Sequence, residues 1–121
     1  MSIWDGARDV AAQGMARAAQ RLGATLMSRV RPVTGQPVTV FGRVRSTVAS
    51  VPHASPRLEC VVTDGSTAGG VRLVFFGRRH IRGLTAGSLV LCTGRPSSTP
   101  DSQPTFFNPH FTIVPCDVCP D

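Results

Sequence analysis

The hydrophobic pattern changes period once along the 121 residues. Over residues 5 to 30 apolar positions recur at helical spacing. At about 100° per residue, Trp4, Ala11, Met15, Ala18, Leu22 and Leu26 share one stripe, with Gln13, Arg17, Gln20 and Arg21 opposite. The stripe is thin and rich in alanine, which suits packing on its own domain or self-association into a homo-oligomer. A membrane-surface role fits poorly, because the polar face has no dense cationic row and contains Asp9. Arg31-Pro32 and Gly35-Gln36-Pro37 break the helix and form a linker.

From residue 37 the pattern alternates. Val38, Val40, Gly42 and Val44 point to one face of a first strand, and Thr39, Phe41, Arg43 and Arg45 to the other. Val51 to Pro56 is a loop. Leu58, Cys60 and Val62 form the inward set of a second strand. Asp64-Gly65 and Gly69-Gly70 then turn the chain into a third, with Val71, Leu73 and Phe75 inward. Arg78 to Leu84 holds no more than a helical turn. A fourth strand spans Ser88 to Arg95, with Val90, Cys92 and Gly94 inward. Pro96 to Pro104 is a polar loop, and a fifth strand, Thr105 to Val114, is interrupted by Asn108-Pro109 while Phe111 and Ile113 keep its rhythm. Five strands without a crossover helix exclude a βαβ sheet. The long first strand bending at Gly42 predicts an all-β, five-stranded Greek-key barrel behind an N-terminal amphipathic helix, with an SH3-like barrel as the nearest competitor. The expected divisions are 1–36 for helix and linker, 37–114 for the barrel and 115–121 for a short tail.

Charge adds a direction. The chain carries 13 basic and 7 acidic residues, net +6, and every basic residue is arginine. Guanidinium forks match phosphate and stack on flat rings, so the balance favours a polyanion partner; codon bias in a GC-rich genome explains the missing lysine equally well. The charge is spread over the helical segment (five arginines, two aspartates) and the barrel segment (eight arginines, three acids). No apolar run approaches the roughly 20 residues of a membrane span, and no secretory signal opens the chain, so a cytoplasmic protein without a membrane partner is expected. Cys60 and Cys92 sit among inward apolar positions and read as small buried hydrophobes. Cys116 and Cys119 form a CxxC, half of a zinc site whose second pair has no metal-ligand spacing, so no metal or cofactor is expected.

The residues also carry a family resemblance. Val38-Thr39-Val40-Phe41-Gly42-Arg43-Val44, Thr63-Asp64-Gly65, Val71-Arg72-Leu73-Val74-Phe75-Phe76-Gly77, Ile81-Arg82-Gly83-Leu84, Gly87 to Arg95 and Phe107-Asn108-Pro109-His110-Phe111 resemble, in that order, the OB-fold wedge domain of RecG-type DNA helicases. They are still more similar to stand-alone actinobacterial OB-fold nucleic-acid-binding proteins, which have a helical N-terminal extension. The resemblance covers about residues 37 to 114. It implies an OB fold and binding to single-stranded or branched nucleic acid, without helicase activity, since there is no Walker A sequence. The Cys116-Cys119 tail has no counterpart, and Phe41 stands where a smaller polar residue is common.

Alternation leaves Phe41, Arg43 and Arg45 outward on the first strand, Arg57 and Glu59 on the second, and Arg72, Val74 and Phe76 on the third. OB folds bind across strands two and three, and single strands need cations along the phosphates and flat rings under the bases. The expected nucleic-acid-binding residues are therefore Phe41, Arg43, Arg45, Arg57, Arg72 and Phe76, with Arg78 and Arg79 in the following turn. The alternative is that Phe41 and Phe76 fill hydrophobic patches covered by the N-terminal helix, with the arginines merely solvated. His53, His80 and His110 have no carboxylate nearby in sequence, and Asp64 before a glycine reads as a turn residue, so an enzyme is not expected. Binding of single-stranded DNA or RNA with little sequence specificity is the leading reading. The alternative is an adaptor module that docks on proteins through the barrel and helix.

Overall fold

The computed structural model describes residues 14, 15, 17–31, 36–97 and 103–115. The structure is mostly β. Six strands, β1 (Val38–Ala49), β2 (Arg57–Thr63), β3 (Val71–Phe76), β4 (Leu89–Gly94), β5 (Thr105–Phe107) and β6 (His110–Val114), form one sheet in the order β5-β3-β2-β1-β4-β6. β1 is shared: Val38 to Arg43 pairs with β4, and Arg43 to Ala49 pairs with β2. The expected fifth strand is two strands. Asn108 adopts a left-handed φ of 47° and Pro109 has no N–H to offer a ladder, so the chain changes partners there. Before the break β5 runs parallel to β3; after it β6 runs antiparallel to β4. The two ends of the sheet order are thus joined by two residues, which requires the sheet to curl back on itself.

The inward residues expected of every strand meet inside the curl. Val40, Val44, Leu58, Cys60, Val62, Val71, Leu73, Phe75, Val90 and Cys92 belong to one buried cluster with Phe106, and Phe111 and Ile113 pack against it. Ile81 and Leu84, from the β3–β4 connection, and Met27 and Val30, from the N-terminal segment, complete this cluster. Gly42 sets how closely β1 approaches its neighbours. A Cβ there would lie 2.6 Å from the Thr63 carbonyl oxygen and 2.8 Å from Met27 Cε. Beyond it, the β1–β2 register shifts between Val44 and Ser46, leaving Arg45 as the extra residue of a bulge.

The helix is shorter at its C-terminal end than the periodicity predicts. Residues 14, 15 and 17–21 are helical; residues 5–13 and 16 of the predicted element lie outside the described ones. The helix stops because Gly23, at φ +72°, takes the left-handed turn that L side chains avoid. Its N–H donates to Gln20 O (3.1 Å), and the Ala24 N–H donates to Ala19 O (2.8 Å), the two bonds of a Schellman cap. The chain beyond is extended, with the Thr25 N–H donating to Thr39 O at 2.7 Å, and then forms a 3₁₀ turn at Met27–Arg29. Asp64, buried in the β2–β3 connection, fastens that turn: its Oδ2 accepts the Met27 N–H at 2.8 Å, and its Oδ1 accepts the Ser66 N–H at 2.9 Å and the Ser66 hydroxyl at 2.5 Å. The linker at 32–35, part of the polar loop at 98–102 and the Cys116-Cys119 tail lie outside the described residues. No described helix is long and apolar enough to cross a membrane.

Candidate functional site

On the outer face of β2 and β3, side chains line up in cross-strand rows. Val48, Glu59, Val74 and Phe107 are successive partners across β1, β2, β3 and β5; on one side of that row Arg57 pairs with Phe76, and on the other Val61 lies between Ser46 and Arg72. Glu59 therefore sits between two guanidiniums. Its Oε2 is 2.9 Å from Arg57 Nη2 and its Oε1 is 3.3 Å from Arg72 Nε, with Glu59 about one third exposed, Arg72 about one quarter and Arg57 about half. Arg72 Nη2 also donates to Gln103 Oε1 at 3.0 Å, and Gln103 Nε2 donates to Gly69 O at 2.7 Å, so the far side of the face is tied to the β2–β3 connection.

Beside the charged row lies a pair of exposed rings. Phe76 and Phe107 stack with centroids 5.9 Å apart and planes 4° from parallel, and each is about half exposed. Their alignment follows from the break between β5 and β6. Asn108 bonds β3 twice, its N–H donating to Val74 O at 2.7 Å and its Oδ1 accepting the Phe76 N–H at 2.9 Å, which holds the end of β5 against the end of β3. Flat exposed rings with guanidiniums alongside can take nucleobases and phosphates together.

The expected site residues fall into three groups. Arg57, Arg72 and Phe76 share the face just described. Phe41 does not belong to it and is withdrawn as a contact residue: it is outward on β1 but completely buried, in a second cluster with Leu89, Val114, Met15, Ala18 and Ala19. The apolar stripe of the helix, extended by Leu22 and Leu26, covers the outer surface of β1, β4 and β6 there. Arg43 and Arg45 are exposed but distant. Arg43 pairs with Thr63, six residues along β2 from Arg57, which is about 20 Å at ~3.3 Å per residue. Arg43 Nη1 reaches Gly87 O at 3.1 Å, and Arg45 Nη1 reaches Ala68 O at 3.4 Å, so the two turn toward different loops.

The two arginines after β3 also separate. Arg79 is committed to the β1–β2 loop, with Nη2 donating to Pro52 O (2.8 Å), Val51 O (3.3 Å) and Ala54 O. Its Nε is buried without a hydrogen-bond partner among the described residues. Arg78 is exposed and lines an open cleft of about 210 Å³ with Phe75, Phe76, Asn108, Pro109 and Phe111.

Phe107, Gln103 and Asn108 were not among the residues expected at the site. Phe107 was open to inference, since alternation from an inward Phe106 turns it outward; Gln103 and Asn108 reach the face only through tertiary contacts between segments some 30 residues apart. Among the described residues no three His, Cys, Asp or Glu side chains gather to hold a metal ion. Cys60 and Cys92 are free and buried. Burial, with the Glu59 carboxylate adding to it, pushes the Cys60 thiol up to about 11; burial, with Cys60 adding to it, pushes Cys92 up to about 12. Both are neutral core thiols rather than nucleophiles. No protein-family model matches the chain, and no curated protein aligns significantly with it.

Proposed function

We propose that the curled sheet is an OB fold and that the protein binds single-stranded DNA or RNA, with little sequence specificity, across the outer face of β2 and β3. The stacked, exposed Phe76–Phe107 pair beside the Arg57–Glu59–Arg72 row carries the reading. Bases extend the ring stack, while Arg57, Arg72 and Arg78 follow the phosphates. The shared first strand, the parallel β3–β5 pairing and the family resemblance over residues 37 to 114 support the fold assignment. The role is binding, in the cytoplasm, rather than catalysis.

A fluorescence-anisotropy titration with a labelled oligonucleotide at several salt concentrations tests this. With about three phosphate contacts, log K against log salt has a slope of about −2 for a single strand. No binding, or binding indifferent to salt, counts against it.

A second reading draws on Val48 and Val51, which are 65% and 52% exposed. Together with Phe76 and Phe107 they leave four large apolar side chains uncovered, as a protein-docking surface would. The same titration separates the two readings, because a protein-docking face takes up no oligonucleotide. A homo-oligomer through the helix has little apolar surface to draw on among the described residues, since Met15, Ala18 and Ala19 are already spent on Phe41 and Leu89.

A further inference from the structure

We infer that the cleft between the ends of β3 and β6 is a seat for one nucleobase that carries a ring carbonyl oxygen on its pairing edge, such as thymine or uracil, in preference to adenine, giving the binding face a local preference at one nucleotide. The inference rests on the proposed binding of single strands. Its lining combines apolar and polar residues: Phe75, Phe76, Pro109 and Phe111, with Phe75 and Phe111 held edge to face at 5.3 Å, stand beside Arg78 and Asn108. The space, about 210 Å³, is below the roughly 300 Å³ at which pockets take drug-sized ligands, and admits one nucleobase.

Two side chains at the cleft bring hydrogen-bond donors to it. Asn108 lines it, and the orientation of its amide is fixed because Oδ1 accepts the Phe76 N–H at 2.9 Å. That leaves the Nδ2 donors to face a ligand, and no described residue accepts from them. Arg78 contributes a guanidinium, also donor-only, that makes no hydrogen bond or ion pair among the described residues. A base is recognised by pairing against its edge, so donors select acceptors. Thymine, uracil and guanine present carbonyl oxygens on their pairing edges, whereas adenine presents an exocyclic amino group there that would meet a donor with a donor. The cleft opens beside Phe76, so a base seated in it continues the strand that stacks on Phe76 and Phe107.

The test compares oligo(dT), oligo(rU), oligo(dA) and an abasic strand of equal length at one salt concentration, on the full chain and on Asn108→Asp. Aspartate tolerates the left-handed backbone and keeps the oxygen that accepts the Phe76 N–H, but has no Nδ2 donor. Arg78→Gln serves as a second variant, since it leaves Asn108 and the backbone untouched. The expected result is oligo(dT) and oligo(rU) binding about fivefold tighter than oligo(dA), as one net hydrogen bond gives, with the ratio collapsing toward one in Asn108→Asp and narrowing in Arg78→Gln. Self-stacking of oligo(dA) would leave the ratio unchanged in the variants, so a preference that survives both substitutions overturns the seat. So does equal binding of all three base-bearing strands by the wild type. In both cases salt-dependent binding persists and the proposed function stands; binding of none of the strands removes both.

Discussion

Phe41 and Phe76 are both outward-facing phenylalanines on strands, and they differ in what covers them. Phe41 is sealed by Met15, Ala18 and Ala19, so Phe41→Ala opens a cavity and is expected to cost about 3–5 kcal/mol of stability in urea unfolding, with affinity per folded molecule unchanged. Phe76 and Phe107 are half exposed and stacked on each other. Replacing either by alanine is expected to leave the unfolding midpoint nearly unchanged and to weaken oligonucleotide binding by about 1–3 kcal/mol. Glu59 works against a polyanion, since it neutralises Arg57 and Arg72 at the centre of the face. Glu59→Gln is expected to tighten binding and to steepen its salt dependence; weaker binding would mean that the carboxylate's positioning of the two guanidiniums outweighs its charge. The buried thiols give a pH effect of definite sign. Folding raises them from an ordinary 9.0 to about 11 for Cys60 and about 12 for Cys92, so the folded chain holds these protons more tightly than the unfolded chain. Their contribution is complete below about pH 9 and is lost as pH rises toward 11 and 12. Thermal melts should therefore show Tm falling above pH 9, with a smaller fall in Cys60→Ala/Cys92→Ala relative to its own value at neutral pH.

The elements owe their positions to a few joints. The described part of the stripe that predicted the N-terminal helix lies against the sheet: Met15 and Ala18 are buried and Leu22 half-buried, while Arg17, Gln20 and Arg21 face solvent. Its end was harder to place, because Leu26 falls on the same stripe and hides the stop signal of Gly23. What the period cannot tell is whether the next apolar residue continues the helix or packs from an extended segment, as Leu26 does. Gly23→Ala meets no atom within 4 Å, so its effect is purely the backbone conformation, on the order of 1 kcal/mol of destabilisation in a denaturant melt. The break at Asn108-Pro109 was visible as an interruption. That its two sides join different strands depends on β3 and β4, neither of which is near it in sequence. Arg79, one of three basic residues in the turn after β3, is a loop fastener because its guanidinium meets three carbonyls of the β1–β2 loop.

At the scale of the molecule, one sheet provides two unlike outer surfaces. Over β1, β4 and β6 it is covered by the chain's own helix, and over β2, β3 and β5 its outer face carries the half-exposed Phe76–Phe107 pair and the charged row. Only the second offers rings and guanidiniums together. The +6 net charge is accordingly not a uniform coat. Arg57 and Arg72 meet at Glu59, while Arg43 and Arg45 lie toward the far end of the strands and Arg79 is spent within the fold. By itself, the sequence determined the run of the first four strands and which of their residues face inward, because alternation has a period of two and the inside of a curled sheet must exclude water. Burial against a distant segment is not periodic. Tertiary structure alone decided that the helix covers Phe41 and leaves Phe76 open, that Phe107 comes to lie on Phe76, and that Asn108 holds the two together. Those outcomes depend on which strands become neighbours, and nothing local to a residue encodes its neighbour across a sheet.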